Sequence, residues 1–342
     1  MESSAAVTPE RIMQFTWGYA PPLVLEAAIK HRLFDTLDSG PKTIAQVAQA
    51  TGTSERGMRA ITYALAGMGL LTRIDGDCFS LTPESAAFLV STKPSFMGGI
   101  VRHCSEDLIP RWLRLNEVVA TGKPAVAVNE QEPGEEFFAN FVSDLFPISY
   151  APARSLAQHL QLGSDGDVSV LDLAAGSGVW GIALAQSAPQ VKVTAVDFPG
   201  VLGITERTVQ RFGLRDRYRF VAGDLNQVDF GSAYAVATLG HILHSEGPER
   251  SRKLLRKTFE ALAAGGTIAI AEFLVNEDRS GPVGSLLFAV NMLVNTEDGD
   301  TYSFEQIAGW LREAGFEDPR LLEGPGASPL VLATKPRSSH AS

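Results

Sequence analysis

A glycine-rich turn carries the strongest chemical signal in the sequence. Gly176, Gly178 and Gly181 lie in VLDLAAGSGVWG, between a short apolar run and a helical pattern. Glycines in such a strand-to-helix turn let the backbone approach a nucleotide cofactor closely. Asp197 follows Gly176 by 21 residues, at the end of the next predicted strand, where a carboxylate would bind ribose hydroxyls. These residues alone suit NAD as well as they suit S-adenosylmethionine.

Two further acids separate the two cofactors. Asp172 lies inside the strand that leads into the turn, and Asp224 ends a third strand in VAGDL. A carboxylate close to the turn would repel a pyrophosphate but attract an ammonium and a sulfonium. Asp224 is suited to accept a hydrogen bond from the exocyclic amine of adenine. Because the turn also contains no Lys or Arg, the set predicts S-adenosylmethionine, with S-adenosylhomocysteine as its product. The alternative is a tight turn with acids that cap helices.

A pair of histidines follows the next predicted strand. His241 and His244 lie in GHILHSEG, directly after YAVATL. Ligands bind beyond the carboxyl ends of parallel strands, so these side chains are expected where chemistry occurs. A hydroxyl acceptor loses a proton as it attacks a methyl group, and histidine suits that step because its ordinary pKa is near physiological pH. For His241, a capping or surface role is the preferred interpretation.

The order of several motifs identifies a family resemblance. LDLAAGSG, AVDFPGV, VAGDL, HILH and AIAEF together resemble the winged-helix-containing small-molecule O-methyltransferases, a group of plant phenolic and bacterial polyketide enzymes. The resemblance covers nearly the whole chain. It implies methyl transfer from S-adenosylmethionine to a hydroxyl of a small aromatic or polyketide-like molecule, with His244 as general base and Glu272 orienting it. Cofactor contacts are expected from the turn and the strand ends: Asp172, Gly176, Gly178, Asp197, Phe198, Asp224, Leu225 and Gly240.

The sequence departs from this family at three positions. His244 is followed by Ser245-Glu246 rather than Asp-Trp. Gly240 stands where many relatives have a lysine, and Thr301 stands where plant members have a second acid. Carbon or nitrogen methylation, and S-adenosylmethionine binding without methyl transfer, are therefore kept as alternatives.

The acceptor pocket is expected between the middle helices and the sheet. Aromatic residues and methionine there favour a flat, largely apolar acceptor. Taken singly, each candidate wall residue is better explained by a position in the core. The candidates are Phe141, Leu145, Phe146, Ser149, Met292 and Asn295.

Three segments must position these residues. From residue 168 onward, short β-branched runs alternate with helical patterns, which predicts a parallel sheet with crossover helices. The fold class is therefore α/β, with a Rossmann-like class I methyltransferase domain over residues 166–336. Residues 1–100 predict an all-α winged-helix dimerisation domain with a hairpin around Gly76. Residues 101–165 predict a helical linker that carries pocket helices.

Three residues are suited to cap helices, and one apolar run near the N-terminus is suited to bind a second copy of the chain. Thr43 and Ser54 are suited to cap helices, as is Ser303 near the C-terminus. Residues 11–19 (RIMQFTWGY) form an apolar run that is expected to be buried in a second copy of the chain. The expected assembly is a homodimer built by this segment.

Composition limits the competing functions. The chain has 342 residues and a formal net charge of −10, which disfavours nucleic acid and anionic membranes. A winged-helix DNA-binding regulator is the main rival, but residues 1–100 contain eight Lys/Arg against nine Asp/Glu. That balance argues against it, because phosphate neutralisation supplies most non-specific DNA affinity.

Cysteine usage and the termini predict where the protein works. Cys78 and Cys104 are far apart and lack metal-ligand spacing, so neither a disulfide framework nor a metal site is expected. No signal peptide and no apolar run of about 18 residues is visible. A cytoplasmic enzyme acting on a small-molecule acceptor is the expectation.

Overall fold

The chain forms two compact units, Met1–Pro110 and Arg111–Ser342. The structure is a computed structural model that describes residues 7–127, 142–163, 166–325 and 329–337. The predicted helical segment 101–165 is divided between the two units. No helix within the described ranges is long and apolar enough to cross a membrane.

The first unit is mainly helical. Its elements are α1 (Glu10–Thr16), α2 (Ala20–Lys30), α3 (Leu33–Leu37), β1 (Lys42–Thr43), α4 (Ile44–Thr51), α5 (Glu55–Gly67), β2 (Leu71–Asp75), β3 (Cys78–Leu81), α6 (Pro83–Phe88), α7 (Gly98–His103) and a π-helical turn, Cys104–Leu108. Helix α8 (Ile109–Trp112) spans the boundary between the units. The predicted hairpin is present as β2 and β3. The unit is not all helical, because the short strand β1 adds to β3 and gives a three-stranded antiparallel sheet in the order β1-β3-β2.

Side-chain caps define the helix boundaries of this unit. Thr43 accepts a hydrogen bond from the Gln46 backbone, and the Gln46 side chain accepts one from the Thr43 backbone, as predicted. Ser54 caps α5 through the backbone N–H of Gly57. Arg32 adopts a left-handed φ of 56°, which separates α2 from α3.

The second unit is built on a seven-stranded sheet. The strands are β4 (Val168–Leu173), β5 (Val191–Asp197), β6 (Tyr218–Ala222), β7 (Tyr234–Gly240), β8 (Leu262–Ala271), β9 (Glu317–Leu322) and β10 (Leu330–Thr334). Their order is β6-β5-β4-β7-β8-β10-β9, with β10 antiparallel to both neighbours and the first five strands parallel. This confirms the predicted Rossmann-like fold. The strand order reverses between β4 and β7, where such sheets bind ligands.

Helices and two apolar layers surround this sheet. The helices are α9 (Leu115–Thr121), α10 (Phe146–Leu160), α11 (Val179–Ser187), α12 (Pro199–Arg211), α13 (Leu243–Ala261), α14 (Val283–Asn295) and α15 (Phe304–Ala314), with short 3-10 turns at Val142–Leu145 and Arg215–Arg217. The central strand β4 is buried on both faces, and its residues Val170 and Leu171 contribute to opposite layers. The predicted capping box of Ser303 and Gln306 begins α15.

Candidate active site

A cavity lies at the carboxyl ends of the central strands in the second unit. Its walls come from the glycine turn after β4, the ends of β5 and β7, the segment after β6, and the starts of α10 and α13. The structure brings eight predicted site residues together on these walls: Leu145, Ser149, Gly176, Asp197, Phe198, Asp224, Leu225 and Gly240.

Asp197 holds the glycine turn in place. Its Oδ2 accepts a hydrogen bond of 2.8 Å from the Gly176 backbone, and its Oδ1 accepts one of 2.8 Å from the Phe198 backbone. Gly176 has a φ of 56°, and its carbonyl accepts a 2.6 Å hydrogen bond from Thr205. Asp197 therefore both borders the cavity and fixes the backbone that forms its floor.

Gly178 begins α11 with a φ of 78° and is not among the residues that border the cavity. A Cβ at this position would lie 3.0 Å from the Thr205 side chain. Glycine therefore allows α11 to pack closely against α12 at the end of the turn.

Asp172 also lies outside the cavity wall. It is fully buried, and its two oxygens accept hydrogen bonds of 3.0 Å from the Gly181 backbone and 2.7 Å from the Thr238 hydroxyl. Burial raises the pKa of Asp172 to about 7, although these hydrogen bonds act in the opposite direction. The carboxyl group ties β4 to β7 and to α11, so it holds the glycine turn in position.

The raised pKa of Asp172 makes the stability of the ligand-free protein depend on pH. Between its ordinary value and about 7 the folded state binds more protons than the unfolded state, so this contribution is lost as pH rises. We expect the free energy of unfolding of the native protein to fall, relative to that of Asp172→Asn, between about pH 4 and 7, the range set by these two values. Parallel denaturant titrations of both proteins check this. A constant difference across that range would contradict it.

A polar network forms one wall of the cavity. Asp224 Oδ1 accepts hydrogen bonds from the backbone and side chain of Asn226, whose amide also donates to Glu246. Arg250 donates to Glu246 over 2.6 Å. Ser245 and Glu246, which stand in place of the family's Asp-Trp, therefore supply part of this wall. Sequence reasoning did not identify Glu246 or Arg250, although their separation of four residues on a helix favours such a pair.

Trp180 explains the absence of a lysine at position 240. The indole borders the cavity, is 4% exposed, and occupies the space where a Cβ on Gly240 would lie. A side chain at position 240 and the indole at position 180 exclude one another. Sequence reasoning did not identify Trp180, because a tryptophan that follows a turn is also compatible with a core position.

Gly240→Ala is expected to weaken S-adenosylhomocysteine binding at least tenfold, because the new methyl group would displace the Trp180 indole into the cavity; overpacking of this kind typically costs about 1–3 kcal/mol. Isothermal titration measures the change. Gly284→Ala, where a Cβ meets open space, is the matched control. Adding Trp180→Leu to Gly240→Ala should recover part of the lost affinity. Unchanged binding by Gly240→Ala would show that the indole moves freely.

The predicted base and its orienting acid are in contact. Strands β7 and β8 are adjacent and parallel, so the residues that follow them meet. His244 Nδ1 lies 2.7 Å from Glu272 Oε2, and the His244 backbone N–H donates to the other carboxylate oxygen over 3.2 Å. The His244 carbonyl accepts a hydrogen bond from Asp300. His244 is therefore held by one hydrogen bond at its imidazole and two at its backbone, close to where α13 breaks at Gly247.

The charge on Glu272 fixes the orientation of the imidazole. Burial alone would raise the pKa of Glu272, but the His244 imidazole and its hydrogen bonds outweigh burial and hold the pKa below its ordinary value. A carboxylate can only accept, so the proton on His244 resides on Nδ1 and leaves Nε2 able to take a proton. This is the arrangement that a general base requires.

Aromatic rings surround both histidines. The His244 ring meets Phe288 edge-on at 4.9 Å, and the His241 ring lies 4.9 Å from Phe273. His241 borders the cavity with a left-handed φ of 61°, which does not fit the capping or surface role preferred from sequence. One atom each of His241, His244 and Glu272 lie within 4.8 Å of one another, close enough to bind a metal ion. The hydrogen bond between His244 and Glu272 favours the base-and-acid arrangement instead.

Of the predicted acceptor-binding residues, some border the cavity and others do not. Leu145 and Ser149, four residues apart, border the cavity, whereas Phe146 stacks on Tyr150 and Phe212 at 5.2 and 5.3 Å. Met292 and Asn295 are buried on α14 and do not border the cavity, and Asn295 accepts a hydrogen bond from Arg111. Phe141 lies outside the described residues.

Comparison with known proteins agrees with this site. The chain matches the O-methyltransferase domain family over residues 122–317 and the O-methyltransferase dimerisation domain family over residues 13–91. It is 31% identical to a 3-hydroxy-5-methyl-1-naphthoate 3-O-methyltransferase from Streptomyces sahachiroi, covering 96% of this chain and 95% of the relative. It is 32% identical to an L-tyrosine C(3)-methyltransferase from Streptomyces lavendulae, covering 97% and 94%. The structure of PigF with SAH superposes with a TM-score of 0.82 at 25% identity, covering 96% of this chain and all of the other. This chain therefore belongs to the O-methyltransferase family and is an S-adenosylmethionine-dependent enzyme.

Proposed function

We propose that this enzyme transfers the methyl group of S-adenosylmethionine to a hydroxyl oxygen of a small aromatic acceptor, and that His244 removes the hydroxyl proton. The observation that carries the proposal is the 2.7 Å contact between His244 and Glu272 beside the cavity. The relative named for 3-O-methylation of a hydroxynaphthoate supports a flat aromatic acceptor with a free hydroxyl.

The cavity walls suit a cationic cofactor. The described cavity wall contains three acidic residues and one cationic residue, Arg250; the acidic residues are Asp197, Asp224 and Glu246. Asp197 would hold the ribose hydroxyls, Asp224 and Leu225 would frame the adenine, and the Gly176 turn would pass under the methionine moiety. When bound, S-adenosylmethionine supplies an electrophilic methyl group, so the protein need only position the acceptor and accept its proton.

The proposed proton transfer uses only the base and its acid. As the acceptor oxygen forms a bond to the methyl carbon, the carbon–sulfur bond breaks and its electron pair returns to sulfur. The hydroxyl proton moves to His244 Nε2. Glu272 remains ionised and stabilises the imidazolium, which then releases the proton to solvent.

A panel of hydroxylated aromatic acids and ketones tests this function. Each acceptor is incubated with S-adenosylmethionine beside its O-methylated analogue, and S-adenosylhomocysteine release and product mass are measured, with and without EDTA. We expect turnover with at least one free hydroxyl compound, none with the capped analogues, and no effect of EDTA. Turnover of the capped analogues would contradict transfer to that oxygen.

The tyrosine-methylating relative supports a second candidate, transfer to a ring carbon. A base that ionises a phenol also makes the ring carbon ortho to the oxygen nucleophilic, so the same His244 could serve both reactions. Proton NMR of the product distinguishes a methoxy group from a ring methyl group. A ring methyl group would replace the O-methyl proposal with this one.

The dimerisation domain match indicates a homo-oligomer, and we propose a homodimer. Helix α1 and the residues after it expose a series of large apolar side chains, which a second copy would cover. These are Ile12, Met13, Phe15, Trp17 and Tyr19, each more than half exposed. Sedimentation velocity at micromolar concentration should give twice the 36.6 kDa chain mass. A fully active monomer would contradict this proposal.

A further inference from the structure

The backbone of His241 is held in a costly conformation at the cavity. Its φ of 61° is in the left-handed region, which is uncommon for residues other than glycine, although Asn, Asp and His adopt it more often than the rest. The His241 N–H donates a 2.9 Å hydrogen bond to the Ala271 carbonyl, which fixes the conformation. Strained residues of this kind are concentrated at binding and catalytic sites. This conformation places the His241 imidazole against the Phe273 ring and at the cavity wall.

The surroundings of the His241 ring determine which nitrogen carries its proton. Burial lowers the pKa of His241 to about 4, with Glu272 opposing and His244 reinforcing this shift, so the ring is neutral near pH 7. Its Nδ1 is buried and has no hydrogen-bond partner among the described residues. An orphaned buried N–H is rarer in proteins than an orphaned buried acceptor, so the proton belongs on Nε2. His241 therefore offers an N–H donor.

The two histidines present complementary groups. His244 offers an accepting nitrogen because Glu272 binds its Nδ1–H, and His241 offers a donor. One nitrogen of each ring and one oxygen of Glu272 lie within 4.8 Å of one another. The ring centroids of the two histidines lie 6.3 Å apart. Hydrogen bonds of about 2.9 Å from both rings are therefore best made to two oxygens that lie on the same edge of one molecule.

We propose that His241 donates a hydrogen bond to a second oxygen of the acceptor, and that the enzyme selects aromatic hydroxyl compounds with a carbonyl or carboxylate oxygen on the same ring edge. This inference rests on the proposed function. While His244 takes the proton from the hydroxyl, His241 holds the neighbouring oxygen and fixes the angle at which the ring meets the methyl group. An acceptor without that oxygen leaves a desolvated N–H donor unpaired, which lowers its binding.

Isomeric acceptors test the selection. The kcat/KM for 3-hydroxy-2-naphthoate, with both groups on one edge, is compared with that for 6-hydroxy-2-naphthoate, with the groups on opposite edges. We expect the first isomer to be favoured about tenfold or more by the native enzyme. The same preference should be seen for binding of each acid to the complex with S-adenosylhomocysteine, measured by isothermal titration.

Two variants locate the cause of the preference. His241→Asn retains a residue that tolerates a left-handed φ but shortens the side chain, and His241→Gly removes it without backbone strain. In both, the isomer ratio should fall towards one, and because the two isomers are compared within each variant, a change in cofactor affinity at this cavity-lining position does not affect the comparison. A native ratio near one, or a ratio that survives both substitutions, would overturn the inference. If one variant loses S-adenosylhomocysteine binding, the inference is tested by the isomer ratios of the native enzyme and of the other variant. Failure of both isomers, together with every hydroxylated acceptor, would instead overturn the proposed function.

Discussion

Replacing His244 with alanine is expected to lower kcat by at least about 100-fold and to leave S-adenosylhomocysteine affinity nearly unchanged. The side chain is fixed by Glu272 beside the cavity but does not itself border the cavity walls around the glycine turn. Its loss therefore removes proton transfer without removing cofactor contacts. Single-turnover kinetics and isothermal titration measure the two quantities separately.

One comparison variant and one control variant accompany His244→Ala. Glu272→Gln should give a smaller loss, because the amide can still accept at Nδ1 but no longer stabilises the imidazolium. His159→Ala, on the exposed side of α10, should have no effect on either quantity. A His244→Ala enzyme with native kcat would show that the acceptor arrives ionised or that another group takes the proton.

Replacing Asp197 with alanine is expected to weaken S-adenosylhomocysteine binding by about 1.5–3 kcal/mol, or roughly 10- to 100-fold. The carboxylate would accept from the ribose, and it also accepts from the backbones of Gly176 and Phe198. Both the contact and the shape of the turn are therefore lost. Asp197→Asn should not restore affinity, because an amide NH₂ would face one of these backbone donors.

Isothermal titration measures the loss at Asp197, with Asp167→Ala as the control. Asp167 is exposed and pairs only at the surface with Lys192, so its removal should leave affinity unchanged. If Asp197→Ala bound S-adenosylhomocysteine with native affinity, Asp197 would not be the residue that holds the ribose hydroxyls.

Most of the sheet follows from local pattern, and one strand does not. Strands β4 to β8 are short, mostly apolar runs between turns, which is typical of buried parallel strands. Strand β9 reads EDPRLL and was not predicted. It forms one edge of the sheet, where Pro319 and charged side chains are tolerated because only one side of the strand pairs. Its β-structure depends on pairing with β10, which the local sequence does not encode.

The sequence allowed prediction of those site residues whose positions are set by the ends of the strands. His244 and Glu272 follow adjacent parallel strands, so their contact follows from the topology. The walls depend instead on packing: Trp180 fills the space above Gly240 only because α11 lies against β7. Gly178 allows close packing of α11 against α12, and Asp172 accepts hydrogen bonds that join β4 to α11 and β7. Sequence spacing does not separate these roles from ligand contact.

The most direct test of the central claim compares two phenols of similar shape in the native enzyme and in His244→Ala. One has the ordinary phenol pKa of about 10 and the other carries a nitro group that leaves it ionised at the assay pH. If His244 is the base, single-turnover rates for the first phenol should fall by at least about 100-fold in the variant, whereas those for the ionised phenol should fall far less. An equal loss for both phenols, or no loss for either, would contradict the assignment of His244 as the base.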